Sequence, residues 1–227
     1  MNNLSRIDLL DSTAPKFEAT NSGLDVETGD RRQQQHQSII ETPAGWHLFT
    51  FAGRFSEISS NSAGASLTLV FRLVLEVQRQ GEPVAWMMTH ASIFFPPDAA
   101  DAGVDLEALV VIRVAESIAA ARTAEHLLRS GGFGLVVLDL GAKAHLPQHA
   151  QSRLAGQARR HDTALLCITE KECDQPSLGA LVSLRAHTER VAGNSNRLRC
   201  MARVIKDKRR GPGWSHVEIC RGPNGLH

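Results

Sequence analysis

The sequence predicts an α/β sandwich in which a mostly parallel central sheet is covered by helices on both faces, with an antiparallel β extension near the C-terminal end. Two observations predict this class. After residue 44, short apolar runs alternate with longer segments of helical periodicity, as expected when crossover helices join parallel strands. The last two strand-like runs are separated only by "KDKRRGPG" (206–213), a spacing that suits a hairpin on the sheet edge.

The strand expectations, in order, are Phe55 to Ile58, Val84 to Met88, Leu109 to Val114, Gly134 to Leu138, Ala164 to Ile168, Leu198 to Ile205 and Ser215 to Cys220. Helices are expected at Ser66 to Gln80, Ser117 to Ser130, Ala150 to Arg160 and Leu178 to Arg185. The second ends at Gly131-Gly132, a good C-terminal stop. Residues 1–44 are polar and broken, with little apolar periodicity beyond Ile7, Leu9 and Leu10, and "DRRQQQHQ" (30–37) is partly low-complexity. They read as an N-terminal arm, flexible or ordered by a partner, ahead of one core domain at 45–227.

A length of 227 residues suffices for one well-filled core. With 25 Lys+Arg against 24 Asp+Glu, whole-chain charge neither requires nor excludes nucleic acid, so any electrostatic case rests on local clusters. The four cysteines (Cys167, Cys173, Cys200, Cys220) form no CxxC pair, and two lie in the strand-like runs "ALLCI" and "HVEIC". Reduced structural thiols are expected. His145 and His149 have a helical metal spacing, but Pro147 between them breaks that geometry. No apolar run approaches the roughly 20 residues needed to span a bilayer. The expectation is a soluble cytoplasmic protein without membrane contact.

The chemistry of interest begins at "SSNSAGAS" (59–66), between a strand and an apolar helix. A working phosphate loop reads GxxxxGK[ST]: backbone N–H groups wrap the phosphates, the lysine reaches the β/γ oxygens, and the hydroxyl binds Mg²⁺. Gly64 and Ser66 keep two of these positions, whereas Ser59 replaces the first glycine and Ala65 the lysine. Charge-assisted hydrogen bonds contribute about 1.5–3 kcal/mol each, so this loss alone weakens triphosphate binding at least about tenfold. Taken alone, the octapeptide is an ordinary serine-rich turn. Further along, "GLVVLD" (134–139) is an apolar strand ending in Asp139, the arrangement of a magnesium-facing carboxylate at the C-terminal edge of a parallel sheet. Such an Asp is, on its own, more often a turn or cap residue.

Order and spacing carry more than any one motif. "GRFSEISSNSAGASLTL" (53–69), "GVDLEALVV" (103–111), "GLVVLDLGAKAHLP" (134–147), "LLCIT" (165–169), "SLGALVSLRAHTERV" (177–191) and "RVIKDKRRGP" (203–212) resemble, in this order, successive blocks of the RecA recombinase core. "IET" (40–42) resembles the segment just before it. The resemblance implies a RecA-like three-layer sandwich over roughly residues 40–222.

It also exposes departures from an active recombinase. The glutamate that prepares the attacking water falls at or near His90, and general-base loss typically costs about 10²–10⁴ in rate. Glu170 stands at the phosphate-sensing glutamine position, where a carboxylate repels phosphate. The second DNA-binding loop is contracted to "EKECDQP" (170–176), and "HLPQHAQSR" (145–153) replaces the first. Basic residues of the helix after the second loop map to Val182 and Thr188. Against these losses, "VIKDK" keeps Lys206 and Lys208, which in the family reach a neighbour's ATP; a retained interface and a solvated hairpin tip both fit. Lys206, Lys208, Arg209 and Arg210 form the densest basic cluster, and Arg153, Arg159 and Arg160 a second one; both are candidate contacts for DNA or an acidic partner.

A shorter RecA-shaped chain without ATPase machinery is similar to the ImuA family of bacterial damage-induced mutagenesis. The resemblance implies a non-catalytic accessory without cofactor or metal, acting in translesion synthesis with ImuB, a Y-family polymerase relative, and an error-prone DnaE-type polymerase; RecA and DNA are further candidate partners. A SulA-like inhibitor of cell division acting on FtsZ is the first alternative, and the "VIKDK" hairpin and longer body favour ImuA over it. A DNA-dependent ATPase of the recombinase type is the second.

Overall fold

The computed structural model describes residues 45–61, 64–90, 92, 94–192 and 197–221, so the expected N-terminal arm and its "IET" block lie outside the described residues. The elements run α1 (Leu48–Phe51), β1 (Phe55–Ser60), α2 (Ser66–Arg79), β2 (Val84–Thr89), α3 (Pro96–Asp101), β3 (Leu109–Val114), α4 (Ser117–Ser130) and β4 (Leu135–Gly141). They continue with α5 (Gln148–Arg160), β5 (Ala164–Glu170), β6 (Leu184–Ala192), β7 (Arg197–Asp207) and β8 (Ser215–Arg221). Eight strands form one sheet in the order β3-β2-β4-β5-β1-β6-β7-β8. β1 to β6 are parallel, and β7 and β8 continue the sheet as antiparallel neighbours. This is the fold class predicted from the sequence.

Alternation along the central strands explains the two cores. Ile58, Trp86, Met88, Val137 and Leu166 face α2, whose Leu69, Val70, Leu73, Val74 and Val77 repeat at helical spacing and are buried against them. Phe55, Met87, Leu138 and Cys167 face the other way, onto Ala120, Ala124 and Leu128 of α4 and Leu154 and Ala158 of α5. Each large side chain so buried contributes roughly 1.5–3 kcal/mol. α4 stops at Gly131, whose φ of 68° is left-handed. A Cβ there would lie 2.7 Å from His161 Nδ1, so glycine is required both by backbone and by space.

The expected helix at Leu178 to Arg185 is not formed. Residues 171–183 cross as an irregular strap, and Leu184 starts β6, paired in parallel with Ser56–Ser59 of β1. Leu184 and Ala186 point into the α2-side core, whereas Arg185 and His187 face the other side, a period of two. The strap runs close to α5: a Cβ on Gly179 would collide with the Gln151 side chain, whose amide donates to the carbonyls of Leu146 and Leu178.

Candidate functional site

The segment read as a phosphate-loop position joins the C-terminal end of β1 to α2. Its backbone is closely folded: the Gly64 N–H donates to Asn61 O at 3.0 Å, and a Cβ on Gly64 would collide with the Ser60 side chain. Ala65 is fully buried within the apolar α2-side cluster, so the position where a lysine would reach phosphate carries an enclosed methyl group. Ser66 is 4% exposed, and its hydroxyl is engaged twice, donating to Ser60 Oγ at 3.0 Å and lying 2.8 Å from Thr188 Oγ1. Ser59 Oγ turns to the opposite face, where Arg185 donates to it and His187 Nδ1 lies 3.4 Å away. The Ser59 and Ser66 hydroxyls therefore close contacts within the protein.

Asp139 lies in one row with Ile58, Ile168 and Met88, which places its side chain on the α2 side of the sheet. Burial pushes its carboxyl up to about 6, opposed by hydrogen bonds from the Ser92 side chain and the Gly141 backbone. No cationic side chain pairs with it among the described residues. Glu170 pairs in register with Ser60 and is exposed, so a carboxylate flanks the loop; His90 is exposed after β2.

Beneath this edge is an ionic network that sequence reasoning missed. Glu57 is fully buried in the middle of β1, with Lys171 Nζ at 2.6 Å and Arg185 Nε at 3.9 Å. It also accepts from Thr169 Oγ1 at 2.9 Å and from the Leu178 N–H at 2.8 Å. Arg185 donates to the carbonyls of Gln175 and Glu172, and Lys171 to that of Pro176. Thus the segment 170–176, read as a contracted DNA-binding loop, is tied down through Lys171, Glu172, Gln175 and Pro176. One signal was available: Glu57 is the single charge within the strand-like FSEISS, and such a charge needs a partner when buried.

Each basic cluster is split by the fold. Lys206 donates to Ser177 Oγ at 3.3 Å and Gly179 O at 3.4 Å, and Lys208 to Ala180 O at 2.6 Å; both ammonium groups turn towards the strap. Burial, then the neighbouring Lys208 charge, lowers the Lys206 pKa. Their hairpin is anchored by a second buried pair, Arg54 Nη2 to Asp207 Oδ1 at 2.6 Å, while Asp207 also accepts the Arg209 and Arg210 N–H groups and Trp214 Nε1. Arg153 pairs with Glu125 of α4 at 2.8 Å. Arg159 and Arg209 lie close enough to repel one another, with Asp162 attracting Arg209, and Arg160 and Arg210 are exposed. The structure therefore draws Arg159 towards Arg209 and directs Lys206 and Lys208 elsewhere.

Among the described residues no helix is long and apolar enough to cross a membrane, and no three metal-ligating side chains converge. The family described as the MT3502 N-terminal domain matches residues 52–173, more than half of the chain. Among curated proteins the chain is similar to RecA of Fusobacterium nucleatum, 24% identical over 187 residues, 70% of this chain and 48% of that protein. It is similar also to RecA of Herpetosiphon aurantiacus, 29% identical over 62% of this chain and 46% of that one, and of Chlorobaculum tepidum, 29% over 66% and 48%. The chain spans about half the length of these relatives. The relationship to RecA and the sheet described above agree on a RecA-like α/β core.

Proposed function

The chain belongs to the MT3502 N-terminal domain family, and on that premise we propose that it is a non-catalytic, RecA-related accessory of DNA-damage-induced translesion synthesis and mutagenesis. It acts by protein contacts with ImuB in the cytoplasm, alongside an error-prone DnaE-type polymerase. One observation carries the non-catalytic part: the phosphate-loop position holds a buried Ala65 and a Ser66 hydroxyl engaged by Ser60 and Thr188. A degenerate Walker A of this kind keeps the strand-to-helix connection and lacks the cationic grip on a triphosphate. The strap supports the same reading, since Glu57, Lys171 and Arg185 tie down the segment that a recombinase would use to track DNA.

Co-purification tests the partner directly. Tagged full-length protein retains ImuB and not FtsZ; retention of FtsZ alone transfers the chain to the cell-division alternative. Because RecA-type cores associate head to tail, a chain that engages one neighbour and cannot complete an ATP-bridged contact also perturbs a RecA filament. Strand exchange by RecA slows at equimolar protein, and unchanged exchange counts against RecA as a partner.

A further inference from the structure

On the α4/α5 side, the apolar layer is built on β1, β2, β4 and β5 and, among the described residues, includes none of β6, β7 or β8. The strap covers the start of β6, where His187 is buried, and beyond it the same sheet face is open. Its register places Val191, Arg199 and Ile219 in one row and Glu189, Met201 and Val217 in the next. Val191 and Val217 are each 43% exposed and Ile219 60%, on a face that solvent contact alone would make polar. The opposite face of the same strands is packed through Cys200, Ala202 and Val204, so the apolar residues at 201, 217 and 219 are not required for that core.

We infer that this open face of β6, β7 and β8 is a berth for one acidic amphipathic helix of a partner protein. Strands are about 4.8 Å apart, so the outer two axes are about 10 Å apart, the width of a single helix of roughly 10–12 Å diameter. A helix laid there continues the layer already formed by α4 and α5. Its apolar stripe meets Val217, Ile219 and Met201. Charge selects the rest of its sequence: Arg203 is bridged to Glu189 at 3.2 Å, whereas Arg199, between Val191 and Ile219, has no ion pair among the described residues. A carboxylate beside the stripe answers Arg199. Single-stranded nucleic acid fits less well, because among the described residues the open face exposes no aromatic ring for stacking and presents Glu189.

The inference rests on the partner reading above and names the surface it uses. The experiment takes the full chain and the polymerase-like partner as probe, and compares wild type with Val217→Lys/Ile219→Lys, with Arg199→Glu and with Val111→Lys, an equally exposed valine on the far edge strand β3. The berth predicts unchanged binding by Val111→Lys, at least about tenfold weaker binding by the double variant, and a salt-dependent loss of about threefold or more by Arg199→Glu. All these side chains are exposed, and melting curves matching wild type confirm folding. Equal binding by all four proteins overturns the berth and leaves the proposed function standing. No binding by wild type overturns both. Loss of single-stranded oligonucleotide binding in Arg199→Glu, with partner binding intact, assigns the face to nucleic acid and overturns the berth.

Discussion

Asp139 and Asp207 are buried carboxylates in strands of one sheet, yet they sit in opposite electrostatic circumstances. Asp207 faces the Arg54 guanidinium at 2.6 Å and accepts backbone and indole N–H donors. Burial by itself raises its pKa, but the hydrogen bonds from Arg54, Arg209 and Trp214 together with the Arg54 charge outweigh it and hold the carboxyl below the usual range. Asp139 is buried with hydrogen bonds alone, and its carboxyl rises to about 6. One carboxylate therefore holds a hairpin in place, whereas the other costs stability at neutral pH. The difference separates a carboxylate that positions the fold from one left without a counter-charge among the described residues.

Removing the Arg54 partnership gives the largest expected effect. Arg54→Ala leaves Asp207 buried and uncompensated, and equilibrium urea denaturation should report a loss of about 3–5 kcal/mol. An unchanged midpoint would mean that the pair is not the hairpin's anchor. Glu57→Gln follows, with a loss of about 2–3 kcal/mol as Lys171 and Arg185 lose their counter-charge. In that variant limited proteolysis should cut first within residues 171–183, because the Leu178 N–H and Lys171 are what Glu57 holds.

Asp139→Asn is expected to act in the other direction. The shift from 3.8 to about 6 makes the folded protein bind a proton more readily than the unfolded chain, so stability falls as pH rises from about 4 to 6. The amide removes that dependence and should raise stability at pH 7 by about 1–3 kcal/mol. Asp207 has the opposite sign: its contribution is present above the ordinary value of 3.8 and is lost as pH falls through its depressed pKa. Thermal melts between pH 7 and pH 2 distinguish the two, since only the upper limb should disappear in Asp139→Asn. The smallest effect belongs to Lys208→Ala, within about 0.5 kcal/mol, because an exposed ammonium loses one contact to Ala180 O.

Much of this fold was legible in the sequence because the central strands and α2, α4 and α5 bury periodic apolar residues. The strand β6 was not, since its Arg185 and His187 are polar groups buried within the sheet, and only Ser59 and Glu57 of β1, placed beside them, explain that burial. Those contacts span more than a hundred residues of chain, so only the folded sheet brings them together. The loop was legible at the level of residue types: Ala65 and Ser66 could be read directly. What the hydroxyl does could not be read, because Thr188 reaches it from β6, a strand absent from the sequence expectations. Likewise, Lys206 and Lys208 read as a free basic cluster, and their contacts with Ser177, Gly179 and Ala180 depend on where the strap lies.

The proposed non-catalytic role is most directly tested by isothermal titration of the full chain with Mg²⁺–ATP, with and without single-stranded DNA, alongside phosphate release. The account predicts no saturable heat at millimolar nucleotide and no phosphate release above that of Asp139→Ala. Saturable binding with DNA-stimulated release, abolished by Asp139→Ala, would contradict it and restore the recombinase-type ATPase.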